Sequence, residues 1–127
     1  RASRIVPGEG FRLACQVKGS QARRVSCNVY DLTPDAIGGQ VDFVLVGAIL
    51  QHLRDPVRAL ERVRSVLAPG GRAVLVETVS ARLTLTHPRR PVGEFRAAMP
   101  DSSFTWWVPN LSLLRAWPTA AGMPPLS

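Results

Sequence analysis

The stretch VDFVLVGAILQHLRDPVRALERVRSVLAPGGRAVLVE, residues 41–77, decides the fold. It opens on VDFVLVG, which is apolar after one acid. A run without alternation suits a strand buried on both faces, as in a parallel sheet. Asp55 then offers an N-cap, and Pro56 stands at the first helical position, where a missing N–H costs nothing. Over residues 55–67, Val57, Leu60, Val63 and Leu67 recur on one helical face, with Arg58, Glu61, Arg62 and Ser65 turned away. Pro69 resists continuation of the helix, because the residue before a proline is pushed out of the α region. Gly70 and Gly71 permit the positive φ of a tight reversal. Residues 72–78 (RAVLVET) make a second buried strand. Strand, helix, hinge and strand compose a βαβ unit, so the fold class is α/β.

The rest of the chain bounds what this unit belongs to. Its 127 residues suit one domain with one core. No apolar run approaches the roughly 20 residues of a membrane-spanning helix. The opening RASRIVPGEG holds no apolar signal segment, and no membrane partner is expected. Cys15 and Cys27 have no metal-ligand spacing, which reads as reduced thiols in a cytoplasmic protein without a metal. The net charge is +7, and Lys18 is the one lysine among 16 basic residues. That skew has two readings: bidentate recognition of phosphate or carboxylate by arginine, or a GC-rich coding sequence. The arginines are spread along the chain and form no patch, which favours the second and gives little support to an RNA-binding module.

Flanking segments are shorter and less regular. Residues 1–10 read as a loop, and residues 11–17 (FRLACQV) as a short helix with Phe11, Ala14 or Cys15, and Val17 inward. Residues 24–32 (RVSCNVYDL) carry β-branched and aromatic side chains and predict a strand followed by a turn. Residues 33–39 (TPDAIGG) are turn chemistry with room for one helical turn. Residues 82–100 predict a long loop with a helical turn near 94–99. Residues 110–117 predict a helix capped by Asn110 and stopped by Pro118, and the last residues a frayed tail.

In this order and spacing, Asp42-Phe43, the Leu53-x-Asp55-Pro56 helix start and the Pro69-Gly70-Gly71 hinge resemble the central part of class I S-adenosylmethionine-dependent methyltransferases. The resemblance covers residues 11–78. It implies a partial Rossmann-like sheet made of the third, fourth and fifth family strands with crossover helices, and S-adenosylmethionine as cofactor. SCNVYDL is similar to the end of the third family strand, where an acid or amide side chain holds the adenine amino group and the next backbone N–H meets the ring. By position these residues are Asn28 and Val29, with Asp31 a second candidate; the plain alternative for Asn28 is a turn residue. Gly47, at the carboxyl end of the fourth family strand, would let the cofactor approach the backbone, because open α/β sheets bind ligands beyond those ends. Its alternative is a simple strand terminator. Positions 48–51 would line the site, although many relatives carry a polar residue where Ala48 stands. His52 reads as a packed, hydrogen-bonded histidine. Glu77 is the nearest carboxylate if a base is needed; otherwise it is a cap or turn acid.

FTWWVPNLSLLRAWPTAAGM carries a narrower resemblance to methyltransferases similar to the tRNA wobble-uridine carboxymethylating enzymes. There the aromatic segment lies near the substrate, so Trp106 and Trp107 are candidates to stack a planar acceptor, a contact worth roughly 1–3 kcal/mol per base. The alternative places both in the core or a lid. Met123 stands where that subgroup has Phe, and Pro118 interrupts its helix.

No G-x-G-x-x-G follows an apolar strand in this sequence. The expectation is therefore one incomplete domain over residues 1–127, lacking the first two and last two family strands. Residues 11–78 would form its cofactor-side βαβ core, and residues 79–127 its substrate-side loop and helix. Without neighbours, the third family strand would pair directly with the fourth or lack a fixed place, and the fourth would expose an edge prone to self-association. The expected activity is methyl transfer in the full-length ancestor, with a tRNA base or a small molecule as acceptor; this chain by itself is not expected to bind the cofactor fully. The alternative is a non-catalytic remnant or interaction module. No catalytic residue is assigned.

Overall fold

Residues 7–96 and 104–123 are described by a computed structural model of the chain. The elements run α1 (Glu9–Lys18), a 3-10 turn (Val29–Asp31), α2 (Pro34–Ile37), β1 (Val41–Gly47) and a second 3-10 turn (Leu50–His52). They continue with α3 (Pro56–Val66), β2 (Leu67–Val76), α4 (Ala81–Thr86), β3 (Gly93–Phe95), β4 (Trp107–Pro109) and α5 (Leu111–Ala120).

β1 and β2 pair in parallel, with α3 as the crossover between them. The Asp55 side chain accepts from the Arg58 N–H at 2.9 Å and starts α3, with Pro56 in its first turn. Pro56, Ala59, Leu60, Val63 and Val66 are buried. Val57 and Leu67, expected inward, are only half-buried, so the inner stripe is rotated toward Ala59 and Val66. The hinge is tighter than a loop. Leu67 already pairs with Val41, and the next pair joins Phe43 to Arg72. Ala68, Pro69, Gly70 and Gly71 therefore bulge opposite Asp42 alone. Gly70 adopts φ +81, and a Cβ on Gly71 would lie 2.9 Å from the Ala68 oxygen and 3.1 Å from the Val41 oxygen.

Inner side chains of this sheet, Val44, Val46, Ala73 and Leu75, pack with Leu50, Leu60, Val63, Trp117 and Ala121 into the core. α5 docks on α3 and brings Trp117 into that core. β3 and β4 form a short antiparallel pair, with Phe95 opposite Trp107. Among the described residues no helix is long and apolar enough to cross a membrane.

Five expectations are corrected. Residues 24–32 form no strand: the parallel sheet has two strands, and the 3-10 turn Val29–Asp31 closes the segment instead. β-branched composition yields a strand only where a neighbouring ladder takes up its backbone groups. Arg23 and Arg24 instead tie the segment through side chains, to the Ile37 and Pro7 carbonyls. β1 and β2 are covered on one face only: Phe43, Leu45, Val74 and Val76 are 58%, 61%, 43% and 58% exposed. α1 forms where expected but buries nothing, and Phe11 and Val17 face solvent. The predicted helical turn near residue 94 is replaced by β3, because Gly93, Glu94 and Phe95 find partners in β4; residues 97–99 lie outside the described residues. Finally, Pro118 lies inside α5 and does not stop it. It has no N–H to donate to the Leu114 carbonyl, and the helix end is closed instead by bonds from Ala121 to the Trp117 oxygen and from Met123 to the Pro118 oxygen, with Trp117 buried beside it.

Candidate functional site

The carboxyl ends of β1 and β2 converge on residues 47–55, and hydrogen bonds from three other parts of the chain meet there. Gly47 ends β1 in the open; a Cβ placed on it would meet no atom within 4 Å. The Ala48 N–H donates to the Val76 oxygen at 2.7 Å, extending the ladder by one residue. Ala48 itself adopts φ +49, an uncommon conformation for a residue with a side chain. Glu77, directly after β2, then takes over: its Oε1 accepts from the N–H groups of both Ile49 and Leu50, each at 2.6 Å. Its Oε2 is buried with no hydrogen-bond partner. One Glu77 oxygen is thus committed to the loop backbone, as a cap or turn acid would be.

Trp106 and Trp107 are brought to the same loop. The Trp106 N–H donates to the Gln51 oxygen at 2.8 Å, and the Trp107 indole Nε1 donates to the Arg54 oxygen at 3.1 Å. The Arg54 guanidinium lies 4.4 Å from the Trp106 ring centroid, and Phe95 stacks on that ring at 6.0 Å. Trp107 packs 4.9 Å from Phe95 and edge-on to Trp117 at 6.3 Å. Trp107 is thus joined to the core, while Trp106 stands at its margin. His52 is exposed, and its Nδ1 lies 2.8 Å from the Phe104 oxygen, so Nδ1 is the donor. That is a hydrogen-bonded histidine with a positional task.

Asn28 and Val29 reach the loop indirectly. The Asn28 Oδ1 accepts from the Tyr30 N–H at 3.0 Å and caps the 3-10 turn. The Tyr30 hydroxyl accepts from the Asp55 N–H at 3.0 Å, and the Arg58 guanidinium lies 5.4 Å from the Tyr30 ring centroid. The segment is thereby moored to the start of α3. Asn28 and Asp31 are exposed and Val29 half-buried. The amide oxygen of Asn28 has a second lone pair, so its turn bond leaves it able to accept from a ligand amino group. Asn28 and Val29 are thus tied to the loop only through Tyr30, and the space beside Gly47 is open. Tyr30 and Arg54 are the residues that sequence reading misses. Their partners are tertiary, and no spacing rule links Tyr30 to Asp55 or Arg54 to Trp106.

A cavity of about 800 Å³ lies elsewhere, between β2 and α5. Its lining includes Leu67, Arg72, Leu75, Leu114 and Pro118, and it touches none of the loop residues above. The strand ends are the better candidate, because the polar groups converge there.

Residues 9–75 match the family described as "Methyltransferase domain". Over 50 residues the chain is 42% identical to the "Uncharacterized 37.1 kDa protein in transposon TN4556" of Streptomyces fradiae. That match covers 39% of this chain and 14% of the relative's length. No solved structure matches the chain.

Proposed function

The chain belongs to the methyltransferase domain family, whose members generally bind S-adenosylmethionine, and from that premise we propose that it takes part in transfer of a methyl group from this cofactor to an acceptor. The observation that carries the reading is the open strand end at Gly47, inside the matched residues and beside a loop held by Glu77. When bound, the cofactor supplies an activated methyl on a sulfonium. Asn28 and Val29 would hold its adenine, and Gly47 would admit it to the backbone. Reaction by in-line displacement depends chiefly on positioning two reactants, so the loop geometry matters more than any acid or base.

The acceptor in this proposal is a planar nucleophile, a tRNA base or a small molecule, received on the side of Trp106 and Trp107. Support comes from the resemblance of residues 104–123 to the tRNA-modifying subgroup. The hydrogen bonds from Trp106 and Trp107 to the loop after Gly47 bear only on the side from which the acceptor would come.

Calorimetric titration with S-adenosylhomocysteine tests the cofactor half. Saturable heat that weakens on Gly47→Val, with the fold kept by circular dichroism, supports it. No heat at millimolar ligand overturns it for this chain. A second reading, a non-catalytic interaction module, is favoured by the uncovered side chains Phe43, Leu45, Val74 and Val76. The absence of heat together with concentration-dependent association would support that reading.

A further inference from the structure

We propose that Glu77 is a positioning residue of the strand-end site, a carboxylate that fixes residues 48–52 and, through them, the wall carrying Trp106. The inference rests on reading the strand ends as the ligand side. Three successive N–H groups, of Ala48, Ile49 and Leu50, are held by the end of β2: the first by the Val76 carbonyl, the next two by one Glu77 oxygen. Successive N–H groups around a residue of positive φ make a concavity suited to an anion. Here the chain supplies that anion itself. Bonds from neutral N–H to a carboxylate are short and strong, and both are 2.6 Å.

The consequence runs outward along the loop. Ala48 is kept at φ +49 between two fixed points, the ladder bond behind it and the carboxylate ahead. Leu50 is 1% exposed, so the second amide is anchored in the core. Gln51 then accepts from Trp106, and His52 donates to the Phe104 carbonyl. A carboxylate one residue past β2 thereby sets the place of an aromatic segment about thirty residues further on. One Glu77 oxygen is doubly engaged and the other is closed off from solvent.

The test is amide hydrogen exchange on the 127-residue chain, with Glu77→Gln and Glu77→Ala. Glu77→Ala is expected to speed exchange at Ile49, Leu50 and Trp106 by about tenfold or more, while the α3 amides of Leu60 and Val63 stay as in the wild type. Glu77→Gln, of the same shape but uncharged, should fall between. Added acetate, but not chloride at equal ionic strength, should restore protection in Glu77→Ala, because a free carboxylate refills the concavity. Exchange that rises equally in α3 and the loop would reduce Glu77 to a structural role and overturn the proposal. So would unchanged exchange at Ile49 and Leu50. If Glu77→Ala does not fold, Glu77→Gln decides by the same comparison. None of these readouts needs cofactor, so a failed S-adenosylhomocysteine titration and a failed exchange experiment are separate results.

Discussion

Trp107 reaches back to Arg54: its indole Nε1 donates to the Arg54 carbonyl oxygen, while the Arg54 guanidinium covers the neighbouring ring of Trp106. One residue of the loop after β1 thus holds both tryptophans, by its backbone and by its side chain. The two halves are separable. Trp107→Phe keeps the ring against Phe95 and Trp117 but loses the indole hydrogen bond, and should cost about 0.5–1.5 kcal/mol in urea unfolding. Arg54→Ala keeps that backbone bond and loses the cation–π contact, which is worth about 0.5–1 kcal/mol at an exposed site. Equal and large losses from both would show that the loop collapses as a unit.

The two glycines of the hinge have different reasons to be glycine, and substitution tells them apart. Gly70 needs positive φ, so Gly70→Ala should cost about 1–2 kcal/mol, and Gly70→Asn less, because Asn tolerates that conformation. Gly71 needs the absence of a Cβ, since backbone oxygens of Ala68 and Val41 occupy its place. Gly71→Ala and Gly71→Asn should therefore be equally harmful, roughly 1–3 kcal/mol, with no recovery. Thermal midpoints of the four variants measure this directly.

How much of this was readable in advance depends on where the information lay. β1, the Asp55 cap and the Asn110 cap are local: a few adjacent residues determine them, and all three form at the residues expected, although β1 is covered on one face only. The bulge at Gly70 and Gly71 was readable as a hinge, but the pairing of Leu67 with Val41 just before it was not. Residues 24–32 show the opposite case. Their side chains suit a strand, yet no neighbouring strand accepts their backbone, and Tyr30 moors them to Asp55 instead. The site divides in the same way. That Gly47 ends β1 was legible from its position after an apolar run. The two hydrogen bonds from Ile49 and Leu50 to Glu77 were not, because they join residues 28 and 27 apart in sequence.

Asn110 is fully buried and saturated. Its Oδ1 accepts from Val92 and Leu113, and its Nδ2 donates to the carbonyls of His87 and Arg90. Asn110→Ala should cost roughly 2–4 kcal/mol, because several buried backbone groups lose their partner together. Asn110→Asp makes the cost depend on pH. The introduced carboxylate would face two carbonyl oxygens in a buried place, which raises its pKa in the folded state. Below about pH 4 the group is protonated in both states, and the deficit against wild type is smallest. As pH rises, the unfolded state ionises first, so the deficit grows, and it levels off above the raised folded value. Urea midpoints of variant and wild type at matched pH values check the sign; a deficit that shrinks with rising pH would contradict it.

The uncovered side of the β1–β2 sheet makes the last prediction. Parallel sheets are found with both faces covered, because their strands are apolar on both sides. Here Leu45 and Val74 lie opposite each other in the ladder and both face outward, with Phe43 and Val76 on the same side. The outer backbone edges of both strands are also unpaired among the described residues. Water at such a face is unfavourable by roughly 25 cal/mol per Å² of apolar surface, so a second copy or another cover is expected to relieve it. Sedimentation should therefore show mass increasing with concentration. Leu45→Lys should suppress that increase with little loss of monomer stability, since Leu45 is already 61% exposed. The same substitution on the buried side, Val46→Lys, should instead unfold the chain, because Val46 is 6% exposed and in the core. A chain that stays monomeric at all concentrations would show that this apolar face is tolerated in water, and that association is not how the chain accommodates it.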